Sequence, residues 1–212
     1  MSSGFINDKS LTIIKYLFRN FDSSPHMRGI ARDTGVSKST TSRILSKLYE
    51  NDVVTKHEQG NQTFFALNLD NMIVVNHCAL SLALEFDRIK RSRPSLHKQL
   101  KSFVDSCENI SGIHSIVLFG STARGEHGKK SDLDLLVLMD DLNETKKIEQ
   151  ISSAINASYS HNISPTTITP DSFLTELRNG NLLYLTILKE GIPVYGSENY
   201  LRIAFKHMRE II

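Results

Sequence analysis

The chain has 212 residues, 40% of them in the hydrophobic set, and it carries a formal net charge of +2. This apolar content allows one large domain or two small ones, and overall charge alone does not indicate a nucleic-acid-binding protein. No apolar run approaches the ~20 residues of a membrane span and no signal sequence is present, so we expect a cytoplasmic protein without a membrane partner. The two cysteines, Cys78 and Cys107, form no C-x-x-C pair, so we expect buried thiols rather than a disulfide framework or a zinc site.

Residues 1–70 have the pattern of three helices followed by a β-hairpin. Apolar residues at helical spacing predict a helix over 9–20, a second and shorter one after it, and a third over 38–51. Two segments of alternating polarity flank the Gly60-Asn61 pair, which is typical of a hairpin turn.

The short connection between the second and third of these helices has the spacing of a helix-turn-helix motif. Gly35 suits the left-handed conformation that ends a helix, and Ser37 is placed to cap the helix that follows. The first two turns of that third helix hold only small or polar residues, which would let it approach a duplex and hydrogen-bond phosphates or base edges. The alternative is an ordinary solvated helix start. The residues predicted to contact DNA, on the third helix and the hairpin, are Lys38, Ser39, Thr40, Thr41, Arg43 and Lys56.

The order helix, helix, polar-tipped helix and hairpin resembles a winged helix-turn-helix domain of the MarR/ArsR-like kind. The resemblance implies DNA binding, although winged helices also serve as protein-docking modules. Residues 1–70 carry nine Lys and Arg against seven Asp and Glu, which is a small surplus for neutralising phosphates.

Residues 71–110 are predicted to be a helical connector. A first helix ends at the basic cluster before Pro94, because proline disfavours helix at the preceding Arg93. A second helix follows over 96–107. The apolar face of the first helix, over 71–93, is a possible homodimer interface.

The stretch "GSTARGEHGKKSDLDLLVL", which starts at Gly120, carries the strongest chemical signal. It follows "HSIVLFG", a β-branched and aromatic run that predicts a strand buried on both faces. Glycine at the end of such a strand lets the backbone approach an anion, and the first free N–H groups of the following helix point toward that anion.

Two aspartates stand at the start of the next apolar strand. Strand alternation places Asp132 and Asp134 on one face, ~7 Å apart, with apolar neighbours on the other. Two carboxylates there are costly unless a cation neutralises them, and Mg²⁺ is the usual cation because it combines one or two carboxylates with phosphate and water oxygens. A calcium loop is excluded by Leu136, and a Walker loop is excluded by Glu126, which stands where that motif requires lysine.

The whole string, G-S-x-A-R-G-x(5)-S-D-x-D-L, is similar to the minimal, MNT-type members of the nucleotidyltransferase superfamily. The resemblance implies that Asp132 and Asp134 are catalytic and hold Mg²⁺, and that an NTP, with ATP the first candidate, is substrate or ligand. Arg124 is either a phosphate contact or a partner of one of the aspartates. The residues implied to bind the nucleotide are Gly120, Ser121, Arg124 and Ser131.

The chain departs from that family pattern further on. Active members usually supply a third carboxylate from a later strand, and at the expected place stand Ser164, Pro165 and Thr166. Asp171 follows soon after but is better placed to open the next helix. Without a third acid the natural general base or second-metal ligand is missing, so nucleotide binding is a firmer expectation than nucleotide transfer.

The sequence therefore predicts an α+β protein with a winged helix-turn-helix at 1–70, a helical connector at 71–110, and a nucleotidyltransferase-type mixed sheet with helices at 111–212. The first hypothesis is a Mg²⁺-dependent nucleotidyltransferase that moves an NMP from an NTP to a protein or small-molecule acceptor and carries a DNA-binding winged helix. The alternative is a DNA-binding transcription regulator whose degenerate transferase domain binds nucleotide without turnover. A third hypothesis is a docking or dimerisation module without a nucleotide role.

Overall fold

The computed structural model describes residues 7–126 and 132–211. The described residues divide into two units, one formed by residues 7–81 with 208–211 and the other by residues 82–126 with 132–207. The boundaries predicted near residues 70 and 110 follow changes in sequence pattern rather than contacts, and they stay a prediction. None of the described helices combines the length and the apolar character needed to cross a membrane.

The first unit contains the three predicted helices and the predicted hairpin. Gln59 pairs with Gln62 across two antiparallel strands, so Gly60 and Asn61 form the turn, and Gly60 has a φ of +59°. The first and third helices end within one residue of their predicted ends. The bounds are α1 (Asp8–Arg19), α2 (Met27–Thr34), α3 (Lys38–Glu50), β1 (Val54–Gln59) and β2 (Gln62–Leu67).

Local chemistry determines the turn between α2 and α3, as predicted. Gly35 ends α2 in the left-handed conformation, with a φ of +70°, where a side chain would be strained. The Ser37 hydroxyl then accepts a hydrogen bond from the Thr40 amide and caps α3. The start of α2 has a cap that the sequence pattern did not indicate, because Nδ1 of His26 accepts from the Gly29 amide at 3.1 Å.

Residues near the carboxyl end of the chain also belong to this unit. The Nε atom of Arg209 donates to the Leu69 carbonyl at 3.1 Å, which attaches residues 208–211 to the rest of the unit. The largest fully buried side chains of the unit are Phe18, Ile13, Ile14, Leu17, Ile30, Leu45 and Leu48.

Two consecutive helices follow, α4 (Met72–Ser92) and α5 (Pro94–Cys107). Arg93 separates them with a φ of −143° and a ψ of 68°, directly before the proline, which confirms the predicted break. Both cysteines are buried thiols, which confirms that prediction as well.

The apolar face of α4 is already packed within the single chain. Val74, Cys78 and Leu82 are each 0% exposed. Ile73 and Leu80 of the same helix are exposed, at 54% and 46%, and a homodimer interface along 71–93 stays a prediction.

The second unit contains a four-stranded mixed sheet in the order β5-β4-β3-β6. Its β3 is antiparallel to both neighbours, whereas β4 and β5 are parallel. The mixed sheet with helices agrees with the predicted fold class. The bounds are β3 (Ile113–Phe119), α6 (Gly120–Arg124), β4 (Leu133–Met139), α7 (Thr145–Asn156), β5 (Ile163–Ile168), α8 (Pro170–Arg178), α9 (Leu182–Glu190), β6 (Ile192–Tyr195) and α10 (Ser197–Ile211), of which residues 208–211 belong to the first unit.

Strand β4 is buried on both faces along most of its length. One face joins a core formed with α5 and α7, and the opposite face carries Leu136 and Leu138, both 0% exposed. Asp134 is the half-buried exception at the start of the strand. The residues of the first face and its partners are Leu133, Leu135, Val137, Leu100, Phe103 and Ile148.

Strand β5 is the edge of the sheet next to β4, and its outer side is blocked. The Asn156 side chain accepts from the Ile163 amide at 2.7 Å and donates to the Ile163 carbonyl at 3.1 Å. Two residues on, Pro165 has no N–H to offer. Both features discourage pairing with another chain at this edge.

Candidate active site

The candidate site begins where β3 ends. Phe119 pairs with Asp134 across β3 and β4, so the next residue, Gly120, lies against the Asp134 carboxylate. A Cβ atom on Gly120 would overlap Oδ2 of Asp134, and the φ of +73° is one that other residues rarely adopt. The glycine that the sequence pattern assigned to a phosphate therefore also makes room for the second aspartate.

A helix of five residues, α6, carries the rest of the Gly-Ser motif. It closes with a hydrogen bond from the Glu126 amide to the Ser121 carbonyl at 2.9 Å, and Gly125 ends it with a φ of +80°. Thr122 is buried, and its hydroxyl donates to the Asp132 carbonyl at 3.4 Å. The motif's two halves, the Gly120-Ser121 turn and the aspartate pair, are thus in direct contact.

The two aspartates differ in environment. Asp132 is exposed just before β4, whereas Asp134 is half-buried within it. Burial, followed by the charge of Asp132, raises the pKa of Asp134. A raised carboxyl pKa means that the ionised form is disfavoured, and a bound cation would reverse that penalty.

The donor set for a metal consists of two carboxylates. Within residues 7–126 and 132–211 no group of three or more His, Cys, Asp or Glu side chains could hold a metal ion. Two carboxylates are compatible with a cation that completes its shell with phosphate and water oxygens, as Mg²⁺ does. Metal binding by Asp132 and Asp134 and their catalytic role stay predictions.

The parallel register places Ser164 of β5 directly beside Asp134. Ser164 is exposed, and its side chain lies on the same face as the Asp134 carboxylate because paired residues of neighbouring strands share a face. The next residue on that face, Thr166, pairs with Leu136. The position where a third acid was expected therefore carries a hydroxyl.

Asp171 lies in the first turn of α8, beyond the opposite end of β5 from Ser164. Thr169 caps this helix, and the Asp171 carbonyl accepts from the Thr175 hydroxyl at 2.9 Å. The prediction that Asp171 opens the next helix is confirmed.

Arg124 makes two ion pairs with glutamates. Its Nε donates to Glu126 at 2.7 Å and its Nη1 donates to Glu190, the last residue of α9, at 3.1 Å. These two hydrogen bonds, Glu126 first, raise the pKa of Arg124. Neither partner is one of the two aspartates that the sequence offered, and a phosphate contact of Arg124 stays a prediction. Nothing in the sequence pattern indicated Glu190, which lies 66 positions away.

The predicted nucleotide contact Ser131 lies outside the described residues. The predicted roles of Gly120 and Ser121 in phosphate binding stay predictions as well.

The predicted DNA-contacting residues occupy two elements of the first unit. Lys38, Ser39 and Arg43 are exposed on α3, and Thr40 is half-buried, with its hydroxyl accepting from Ser37 at 2.9 Å. Lys56 is exposed on β1, and its Nζ lies 4.4 Å from the centre of the Tyr49 ring. Those last two residues form a cation–π pair.

Thr41 does not belong to that exposed set. Its side chain is 0% exposed and its hydroxyl donates to the Val36 carbonyl at 3.2 Å. This burial contradicts the prediction that Thr41 faces a groove. The helical period could have shown it, because Thr41 shares a face with Ile44, Leu45 and Leu48, which are buried.

Comparison with known proteins adds two findings. A family model described as "Nucleotidyltransferase domain" matches residues 100–179, which include β3, α6, β4 and β5. Two proteins of Methanocaldococcus jannaschii, each described as a "Putative protein adenylyltransferase", are similar to this chain. One is 31% identical over 124 residues, which are 55% of this chain and 83% of that protein. The other is 43% identical over 53 residues, so this chain spans only 54% of its length.

Proposed function

This chain belongs to the nucleotidyltransferase domain family, and from that premise we propose that it is a Mg²⁺-dependent transferase moving an NMP from an NTP to an acceptor hydroxyl. The observation that carries the proposal is the contact between Gly120 and Asp134. It joins a backbone turn suited to phosphate with a carboxylate pair suited to a cation.

The roles of the residues follow from their chemistry. The Gly120-Ser121 turn would hold the triphosphate through backbone amides and the Ser121 hydroxyl. Asp132 and Asp134 would hold Mg²⁺, which when bound supplies positive charge against the charge that develops on the phosphates. An acceptor hydroxyl oxygen would then bond to the α-phosphorus, the bond from that phosphorus to the pyrophosphate oxygen would break so that pyrophosphate leaves, and the hydroxyl proton would pass to solvent water.

The acceptor that we favour is a protein. Two similar proteins carry the description of protein adenylyltransferase, and this chain spans 83% of one of them. A small-molecule hydroxyl is the second possibility, and ATP is the first NTP to test.

Labelled ATP tests the proposal. The purified chain is incubated with Mg²⁺ and a cell lysate, once with ATP labelled at the α-phosphate and once with ATP labelled at the γ-phosphate. We expect the added chain to increase the α-label on an acceptor but not the γ-label, and we expect the isosteric variant Asp132→Asn/Asp134→Asn to lose this increase. Asp105→Asn, which removes an exposed ion pair on α5, is the matched control. No increase of α-label on any protein or small molecule when the chain is added would refute transfer.

A second candidate function comes from the exposed hydroxyl of Ser164. Ser164 pairs with Asp134 at the position where a third carboxylate was expected, so the group that would act as general base or second-metal ligand is not found there. Such a domain could bind nucleotide and Mg²⁺ without turnover and act as the sensor of a DNA-binding regulator. Mg²⁺-dependent ATP binding without label transfer would favour this candidate over the first.

We also propose that the first unit is a winged helix that binds DNA through α3 and the β1–β2 hairpin. Support comes from the exposed Lys38, Ser39 and Arg43 on one helix and the exposed Lys56 on the hairpin. Affinity for duplex DNA should fall steeply with salt, and Arg43→Ala should reduce the salt slope by about 1. Lys9→Ala, which removes one exposed charge from α1, serves as the charge-matched control. Equal slopes for the two variants would contradict the assignment of α3.

A further inference from the structure

We propose that Glu190 is a positioning residue for the Gly120-Ser121 turn and that it acts through Arg124. The inference rests on the proposed function, because it concerns the same turn. It assigns a role to a residue at the end of α9, far away in sequence from the motif.

Helix α6 cannot hold its own orientation. It has five residues, Gly120 and Gly125 at its two ends have φ values of +73° and +80°, and its N-cap residue, Phe119, makes no side-chain capping hydrogen bond. Isolated helices of this length are unstable, because nucleation fixes several residues for very few hydrogen bonds. Tertiary contacts must therefore orient the turn that α6 carries.

Two side chains of α6 supply such contacts on different elements. Thr122 donates to the Asp132 carbonyl at 3.4 Å and ties the helix to the start of β4. Arg124 reaches Glu190 at 3.1 Å and ties the helix to the end of α9.

The residues that follow Glu190 are held in place by contacts with α9 and β3. The Gly191 amide that follows it donates to the Ile187 carbonyl at 2.8 Å, and a Cβ atom on Gly191 would lie 2.7 Å from Cγ1 of Val117. Ile192 then pairs with Leu118 of β3, the strand that leads into Gly120. The Arg124–Glu190 pair thus closes a ring of contacts from β3 through α6 and α9 back to β3.

Glu126, the other partner of Arg124, cannot attach α6 to a different element. It lies two residues from Arg124 in the chain and its side chain is 63% exposed, whereas that of Glu190 is 35% exposed. A contact within one turn orients the guanidinium but does not attach α6 to another element.

Amide hydrogen exchange in the nucleotide-free protein tests positioning directly. The amide of Gly125 donates to the Thr122 carbonyl at 3.2 Å and reports on the closing turn of α6. In Glu190→Gln we expect its exchange to be about fivefold faster, the size typical of one partly exposed ion pair. We expect a smaller change in Glu126→Gln and none in Asp105→Asn. Glu190→Asp keeps the charge and is the second variant if Glu190→Gln folds poorly.

ATP binding then tests the consequence for the turn. We expect Glu190→Gln to weaken ATP binding about fivefold with the melting temperature nearly unchanged. The double variant Arg124→Ala/Glu190→Gln should bind no more weakly than Arg124→Ala alone, because the two residues act as one unit.

The failures are distinguishable. Unchanged exchange at Gly125 in Glu190→Gln would overturn the inference whether or not the protein binds ATP. Tighter ATP binding in that variant would also overturn it, because it would mean that Glu190 holds Arg124 away from the phosphates. Lack of ATP binding by the unmodified chain, with exchange still responding, would refute the proposed function and leave the positioning role in place.

Discussion

Strands β4 and β5 lie side by side in parallel register, yet of the two only β4 carries an acidic residue, Asp134, at the candidate site. Asp134 interrupts a strand that is otherwise buried on both faces, whereas its neighbour Ser164 is exposed on an edge strand. An acid would cost less at Ser164 than it does at Asp134, because solvent reaches the edge. Burial therefore does not prevent a third carboxylate at position 164, because a charged side chain there would stay in contact with solvent.

The largest expected effect comes from removing the acid on β4. Asp134→Asn should lower label transfer about 10²- to 10³-fold, since it withdraws charge from the site where charge develops in the transition state. The measurement is the rate of α-label transfer at saturating Mg²⁺. Asp140→Asn, an exposed position just beyond the other end of β4, is the control and should transfer at the normal rate. Equal rates for the two variants would show that the Asp134 carboxylate takes no part in transfer.

The next largest effect concerns the glycine that packs against Asp134. Gly120→Ala should reduce the free energy of unfolding by about 2–3 kcal/mol and abolish ATP binding, because the new Cβ combines backbone strain with overlap of the Asp134 carboxylate. Gly125→Ala has a similar φ, but the nearest heavy atom to its Cβ would be Nη2 of Arg93 at 3.8 Å, so it should cost about 1 kcal/mol. Urea unfolding and ATP titration of both variants check this, and equal losses would contradict the close packing.

Adding an acid to β5 is the direct test of the comparison between the strands. Ser164→Asp should raise the rate of label transfer about tenfold or more with Mg²⁺, because assistance by a general base contributes ~10²–10⁴-fold. Without Mg²⁺ the same change should destabilise the protein, since it places a further negative charge beside Asp134. Ser164→Asn is the uncharged control. Slower transfer by Ser164→Asp than by the control would show that the site works without a third acid.

The smallest effect is the pH dependence of stability. The folded-state pKa of Asp134 is raised, so the folded protein keeps this proton to higher pH than the unfolded chain does. The contribution of Asp134 to the free energy of unfolding should therefore fall as pH rises from the unfolded pKa, ~3.9, through the folded value. Asp134→Asn removes this loss and should be more stable than the natural chain at neutral pH but not below pH ~4.

Urea unfolding across that pH range measures the difference. Asp132→Asn should give only part of the gain, because burial is a larger cause of the raised pKa than the charge of Asp132. Saturating Mg²⁺ should narrow the difference between Asp134→Asn and the natural chain. A stability difference between Asp134→Asn and the natural chain that does not grow as pH rises through this range would contradict the assigned sign.

Local patterns were sufficient for much of the fold. Helical spacing predicted α1 and α3 to within a residue, and the chemistry of glycine, serine and proline predicted the turn at Gly35, the cap at Ser37 and the break before Pro94. These features depend on interactions between residues a few positions apart, which is why sequence alone is enough. The prediction that Thr41 contacts DNA was wrong because it followed from the polar side chain and not from the position of Thr41 on the buried face of α3.

The sequence by itself determined the two halves of the candidate site, because a Gly-Ser pair after a buried strand and two aspartates at alternate positions are short-range patterns. Only the tertiary structure decided that Gly120 packs against Asp134, that Ser164 stands where a third acid was expected, and that Arg124 reaches α9 rather than the aspartates. Strand register and contacts between residues 66 positions apart depend on how the whole sheet assembles, and no local pattern encodes them.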